Sequence, residues 1–194
     1  MSKAHLQISA LCLLTLLLGI GFQWHDLEFW CWSRPAIIDG EYWRLLTGHF
    51  VHLGWRHALL NSIALVLITC LWIQDVPNPK ASIWFASLVF CMLIVSLGMW
   101  WWLPHLQWYV GLSGALHGLL ISGVLLSIRQ RPYANSFLLV GVLAKLVYEH
   151  QQGAMSATSA WIGGAIITEA HLYGAIGGLL FFVLLWLYRL VLRY

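Results

Sequence analysis

The chain has 194 residues, of which 61% are hydrophobic and 9% charged, with a mean hydropathy of +0.79 and a net charge of +3. A soluble domain carries about 25% charged residues to cover its surface, so this composition excludes a water-soluble globular protein and makes lipid the solvent for much of the chain. The basic residues are scattered, which excludes the basic stripe of a nucleic-acid-binding surface, and too little polar sequence lies between the apolar runs for a separate soluble domain; one membrane-embedded domain over residues 1–194 is expected.

A spanning helix needs about 20 mostly apolar residues, fewer where neighbours bury it. The runs that meet this description are Leu6–Phe22, Trp55–Ile73, Ser82–Leu103, Ser113–Ile128, Ser136–Tyr148 and Thr168–Leu192. The expected fold class is therefore all-α, a polytopic membrane bundle of six transmembrane helices. The first run has the look of a signal peptide with Lys3 as its charged start. Gln23-Trp24-His25-Asp26 follows it instead of a small-residue cleavage site, so a retained helix is expected. The fifth run is short and contains Lys145. Pro77 and Pro79 break the chain between the second and third runs. Trp24, Trp30 and Trp32, and Trp100 to Trp102, sit near the ends of runs, where an aromatic belt at the membrane boundary is expected. Cys12, Cys31, Cys70 and Cys91 lack the spacing of a zinc or redox motif and read as apolar filler.

Orientation follows from the Lys and Arg of the short connections. With the N-terminus inside, Lys3, Lys80, Arg129, Arg131, Arg189 and Arg193 face the cytoplasm, against Arg34, Arg44, Arg56 and Lys145 outside. The excess favours both termini inside, with the long segment from Gln23 to Gly54 facing outward.

Polar side chains within spans are costly and mark function. His57 and Asn61, at i and i+4, share one face of the second span. Ser113 follows the loop Pro104–Gly111 and opens the fourth span between Gly111 and Gly114. Its hydroxyl is sterically open at a helix N-terminus, where developing negative charge is favoured, as an acyl-transfer nucleophile requires; a capping serine would also account for it. His171 opens the sixth span. Gly114-xxx-Gly118 and Gly174-xxx-Gly178 are small-residue faces that let helices approach closely in lipid. If they meet, Ser113 and His171 lie at similar depths, and an imidazole within about 2.6–3.2 Å takes the hydroxyl proton. His57 and Asn61 would then donate to an oxyanion, or serve as interhelical hydrogen-bond glue.

Taken together these residues resemble a rhomboid intramembrane protease. Glu41-Tyr42-Trp43-Arg44 is similar to the Trp-Arg motif of that family's first outer loop, and His52, His57 and Asn61 have the H-x4-H-x3-N spacing of its second helix. Gly111-Leu112-Ser113-Gly114 matches the GxSG motif, and Ala170-His171-Leu172-Tyr173-Gly174 the AHxxG of the last core helix. The resemblance runs from Glu41 to Gly178. It implies a six-helix core with Ser113 as nucleophile, His171 as general base, and His57 and Asn61 as oxyanion-hole residues, acting on a membrane-anchored protein without a cofactor or metal. No aspartate follows His171 within reach in the sequence, which is consistent with a dyad; Glu169 lies on another helix face.

Where many rhomboids carry Tyr four residues after the serine, this chain has His117. That variant and the short chain are similar to the rhombosortases, a subfamily associated with Gram-negative bacteria. The implied substrate is the C-terminal anchor of an exported protein, comprising a glycine-rich motif, a transmembrane helix and a basic tail. The implied location is the inner membrane, with the active site opening to the periplasm. His117 is expected to pack beside the dyad, with Gly111, Gly114, Gly118, Gly174 and Gly178 providing the close approach. The outer loops and the fifth helix are expected to gate entry.

Two other classes compete. His57, His117 and His171 are intramembrane histidines, and imidazole is the commonest metal ligand, although a haem or metal protein leaves Ser113 and its glycines without a purpose. A non-catalytic rhomboid homologue that binds membrane clients has no need of both Ser113 and His171. A transporter is disfavoured because no inverted repeat is visible. Lys145 and Glu149, an i,i+4 pair in the less favourable order, have no assigned role.

Overall fold

The computed structural model describes residues 2–192; Arg193, counted above for orientation, lies outside them. Long helices form at each of the apolar runs: α1 (Lys3–Gly21), α5 (Trp55–Asp75), α6 (Ala81–Trp102), α7 (Ser113–Ser127), α8 (Pro132–Gln152) and α10 (Thr168–Val191). Short helices α2 (Leu27–Trp30), α3 (Arg34–Ile38), α4 (Arg44–Thr47) and α9 (Ser156–Ile162) lie in the connections. A two-residue antiparallel ladder pairs β1 (Trp32–Ser33) with β2 (Trp108–Tyr109). The fold is all-α apart from that ladder.

Among the described residues α1, α5, α6 and α10 are long and apolar enough to cross a membrane, and α7 is a shorter apolar helix of 15 residues. The short helix is the central one, packed against α5, α6 and α10. Enclosed by its neighbours, it has no need to match the lipid thickness alone. α8 extends past the expected Ser136–Tyr148 at both ends. Pro132 at its first turn supplies a ready-made helical φ, and Gly153, at φ +74°, ends it.

The faces Gly114-xxx-Gly118 and Gly174-xxx-Gly178 meet. A Cβ on Gly174 would collide with the Gly114 carbonyl oxygen, one on Gly118 with that of Gly174, and one on Gly178 with that of Gly118. α7 and α10 therefore touch backbone to backbone, the geometry that small residues permit in lipid. On the opposite flank, Trp72 of α5 donates its indole N–H to the Leu119 carbonyl at 2.9 Å, and Trp72, Trp84, Leu65, Leu88 and Leu119 form the main apolar core.

The outer end is braced by Arg34. Its guanidinium donates to the carbonyls of Met99, Leu103 and Leu106 at 2.9 Å and of Trp100 at 3.2 Å, tying the first connection to the end of α6 and the turn that follows it. Arg34 N–H also donates to Gln107 O at 2.9 Å, extending the β1–β2 pairing. The segment that leads into α7 is thus tied to both the first connection and α6. Trp24, Trp101 and Trp102 are well exposed, but Trp32 is fully buried against Trp100. Contrary to the belt expected for it, Trp32 belongs to the protein core, because β1 carries it inward beneath Arg34.

Gly174→Ala drives a methyl into the Gly114 carbonyl and is expected to destabilise the protein by about 1–3 kcal/mol. Gly141→Ala on α8, where a Cβ meets open space, is expected to be tolerated. Thermal unfolding of the purified variants in detergent compares the two; equal midpoints would contradict the close α7–α10 packing.

Candidate active site

Ser113 is the first residue of α7, and Leu112 is the N-cap, so the serine is not the helix cap that its position allowed for. Leu112 offers no polar side chain to the first-turn N–H groups, which leaves backbone donors beside the Ser113 hydroxyl. That hydroxyl lies 3.0 Å from Nε2 of His171, in the first turns of α10. The two side chains meet because their helices touch at Gly114 and Gly174, one and three residues further along.

Gly111 makes the turn into α7 at φ +118°. Its N–H donates to Gly48 O at 3.0 Å, and its carbonyl accepts from the Tyr109 hydroxyl at 2.7 Å. A side chain here would also strike the imidazole of His57, whose Cε1 lies 2.7 Å from where a Cβ would stand. Glycine thus serves both the backbone angle and the close approach of His57.

His57 and Asn61, both buried, lie one turn apart on α5. They line a cavity of about 970 Å³ together with Ser113, His171, Lys145 and Glu149. Asn61 donates one amide hydrogen to the His57 carbonyl at 3.0 Å, which leaves the second free. His57 Nδ1 accepts from the Leu53 N–H at 3.4 Å, so in the neutral ring Nε2 carries the hydrogen. Neither side chain hydrogen-bonds to Ser113 among the described residues.

His117, one turn below Ser113, stacks on His171 with ring centroids 4.3 Å apart and planes 19° from parallel. Its Nδ1 lies 2.8 Å from the Ser113 carbonyl oxygen. A carbonyl only accepts, so Nδ1 carries the hydrogen.

The absence of an aspartate after His171 does not leave its imidazole without a carboxylate. Glu149 Oε2 lies 2.9 Å from His171 Nδ1, and Oε1 lies 2.6 Å from Lys145 Nζ. The acid precedes His171 in the chain and arrives from α8, which packs against α7 and α10; proximity along the sequence was the wrong measure. The signal was the Lys145–Glu149 pair itself, two charges one turn apart on one helix face. Glu169, by contrast, is exposed.

The loop motif is structural at close range. Arg44, with its side chain 7% exposed, pairs with Glu41 at 2.6 Å and donates to the carbonyls of Glu28 and Cys31 at 2.8 and 3.0 Å. Trp43 is exposed. Thr47 donates to Trp30 O at 2.8 Å, and together these bonds fold the first connection above the site. Two histidines lie beneath it. His49 Nε2 is 3.0 Å from the Ser96 hydroxyl, which itself donates to Leu45 O at 2.6 Å, so the histidine is the donor. His52 meets His57 edge to face at 5.0 Å. Burial lowers His49 from the ordinary imidazole value to about 4, and His52 to about 3.

All four cysteines are free, with Cys70 exposed and Cys91 against the α7–α10 contact. Among the described residues no group of three His, Cys, Asp or Glu side chains is placed to hold a metal ion.

The family model for the Rhomboid domain matches residues 39–188, most of the chain. No curated protein and no solved structure matches it.

The buried histidines give the fold a pH dependence of definite sign. His49 and His52 protonate near pH 6.5 when unfolded but only near pH 4 and 3 when folded, so the unfolded chain binds more protons between those values. Stability present above pH 6.5 is lost as the pH falls toward 4. The unfolding midpoint in detergent is expected to drop from pH 7 to pH 5, and His49→Asn, which cannot titrate, to flatten the slope. A wild-type midpoint independent of pH over that range would refute the assignment.

Proposed function

Since the chain belongs to the rhomboid family of intramembrane serine proteases, which act on membrane protein substrates, we propose that it cleaves a membrane-anchored protein with Ser113 as nucleophile and His171 as general base. The observation that carries this reading is the 3.0 Å approach of Ser113 Oγ to His171 Nε2 at the wall of the large cavity. That distance falls within the reach a nucleophile and its base require.

In the proposed reaction His171 Nε2 takes the hydroxyl proton as Ser113 Oγ attacks the scissile carbonyl. The tetrahedral oxyanion is held by the His57 Nε2–H, the free amide hydrogen of Asn61 and the uncapped N–H groups at the start of α7. The imidazolium returns the proton to the leaving amine, and water, activated by the same ring, releases the acyl-enzyme. Preorganised donors of this kind cost no reorganisation when the charge develops. His117 supports the base by stacking on its face, a contribution of about 0.5–1.5 kcal/mol for aromatic pairs.

The substrate proposed is the rhombosortase class, the glycine-rich C-terminal anchor of an exported protein. It is supported by His117 in the place of the common tyrosine. The mostly apolar cavity wall between α5 and the α8–α9 region suits a transmembrane segment lowered beside Ser113. The enzyme is proposed to sit in the inner membrane with both termini cytoplasmic and the cavity open to the periplasm.

Co-expression with such an anchored protein tests this. Wild type is expected to release the anchor, with Ser113→Ala and His171→Ala at least about 10⁴-fold slower and His57→Ala or Asn61→Ala about 10²–10³-fold slower. Cleavage that survives Ser113→Ala would overturn the mechanism. A wild type inert toward anchors of this class would remove the substrate assignment.

A further inference from the structure

The site holds one more ionised chain of contacts than the dyad requires. Behind His171, Glu149 presents Oε2 to Nδ1 at 2.9 Å, and its other oxygen is held by Lys145 at 2.6 Å. The carboxylate and imidazole side chains are only 8% and 6% exposed, whereas Lys145 is 46% exposed and reaches in from the cavity. A surface i,i+4 pair contributes little to stability. A carboxylate buried against a histidine that already faces a serine has more to do than that.

We propose that Glu149 is a positioning residue for His171, making the working unit Ser113–His171–Glu149, with Lys145 as its tether; the proposal rests on the hydrolase reading above. The hydrogen positions follow from donor and acceptor chemistry. An ionised carboxylate only accepts, so Nδ1 of His171 carries the hydrogen and Nε2 keeps the lone pair that faces Ser113 Oγ. Lys145 Nζ also lies 3.4 Å from His171 Nδ1 and 3.2 Å from His117 Nε2. Since His117 Nδ1 donates to the Ser113 carbonyl, its Nε2 is the bare nitrogen and accepts from the ammonium. The Lys145–Nδ1 approach is then two donors side by side, both directed at Glu149. All three groups satisfy one another in a single arrangement, the one that leaves His171 able to act as a base.

During the reaction the serine proton moves to Nε2 and later to the leaving amine. The Nδ1 hydrogen stays on the ring, and the Glu149 carboxylate faces the imidazolium charge without taking a proton. Without Glu149 the ring is free to adopt the other tautomer, in which Nε2 carries the hydrogen and Ser113 has no base.

A fluorophosphonate probe reads this without knowledge of the substrate: the Oγ–P bond forms, the P–F bond breaks, fluoride leaves and the serine proton passes to His171. With the full chain in detergent, wild type is expected to label and Ser113→Ala to remain unlabelled. A wild type that does not label removes the hydrolase reading and this proposal with it. Glu149→Gln is expected to lower the maximal labelling rate about 10²–10⁴-fold while half-saturation stays unchanged. Glu149→Asp is expected to recover part of the loss, and Lys145→Met to cost about tenfold or less. A merely structural role would instead lower the unfolding midpoint and leave the rate of the folded fraction intact. Glu149→Gln labelling at the wild-type rate overturns the proposal. If that variant does not fold, ¹⁵N NMR of histidine-labelled wild type decides: His171 protonated at Nδ1 is expected, and a ring protonated at Nε2 overturns it.

Discussion

Two helices of this protein touch through their backbones, and the relative placement of the polar groups follows from that contact. Where α7 and α10 cross, Gly114 and Gly118 face Gly174 and Gly178 with no room for a methyl group. Lipid tails are as apolar as leucine side chains, so helices in a bilayer gain little from apolar contact alone; close van der Waals approach has to supply the attraction. Once the backbones are fixed at that distance, Ser113 and His171, at the head of the contact, need no flexible linker to meet. The other neighbours of α7 restrain what remains: Trp72 is bonded to the Leu119 carbonyl on one flank, and the Arg34 brace holds the segment that enters the helix from above.

A polar group in such a chain must find its partner within the protein. Thr15, Ser62 and Thr69 each return the hydroxyl to the carbonyl one turn back at 2.7–2.8 Å, the usual resolution for a hydroxyl within a helix. Ser87 and Ser122 bond to each other across α6 and α7 at 2.8 Å. The side chains around the cavity behave differently. Ser113, His117, Lys145, Glu149 and His171 form a sequence of contacts across three helices, and the serine hydroxyl meets an imidazole instead of a carbonyl one turn back. Outside the site some polar residues close short loops of one turn and others, such as Arg34, His49 and Ser87, tie distant elements together in separate bonds; those around the cavity join one continuous network.

The same distinction explains what could be read from the sequence. The helix positions were legible because apolar runs bounded by Pro, Gly and charges report length directly, and the meeting of the glycine faces followed from their matched spacing. The extent of α8 was not, since a helix of mixed polarity gives hydropathy little to detect; its ends were set by Pro132 and Gly153, which hydropathy ignores. Trp32 was misplaced because it stands in a run of tryptophans near the end of a span and only the β1–β2 pairing turns it inward. Glu149 was passed over for a related reason. Its charge stood out, but its partner lies on another helix and no periodicity within α8 points to it. His49 carries no spacing signal, and the H-x4-H-x3-N spacing that includes His52 says nothing of its burial, which depends on the fold of the first connection.

α8 is attached along a single face. Near its start Asn135 is buried and donates to Ser127 at the end of α7, at 2.9 Å to the carbonyl and 3.0 Å to the hydroxyl. Further along the same face Leu139 and Val142 are half-buried against Ile121 and Ala175, and near the end Leu146 and Glu149 are buried. The helix is thus anchored by a hydrogen bond at one end and meets the imidazole at the other. An outward lean of α8 about Asn135 would displace Glu149 most, because it lies far from that anchor. If Glu149 positions His171 as proposed, such a lean would widen the cavity and part the carboxylate from the base in one movement.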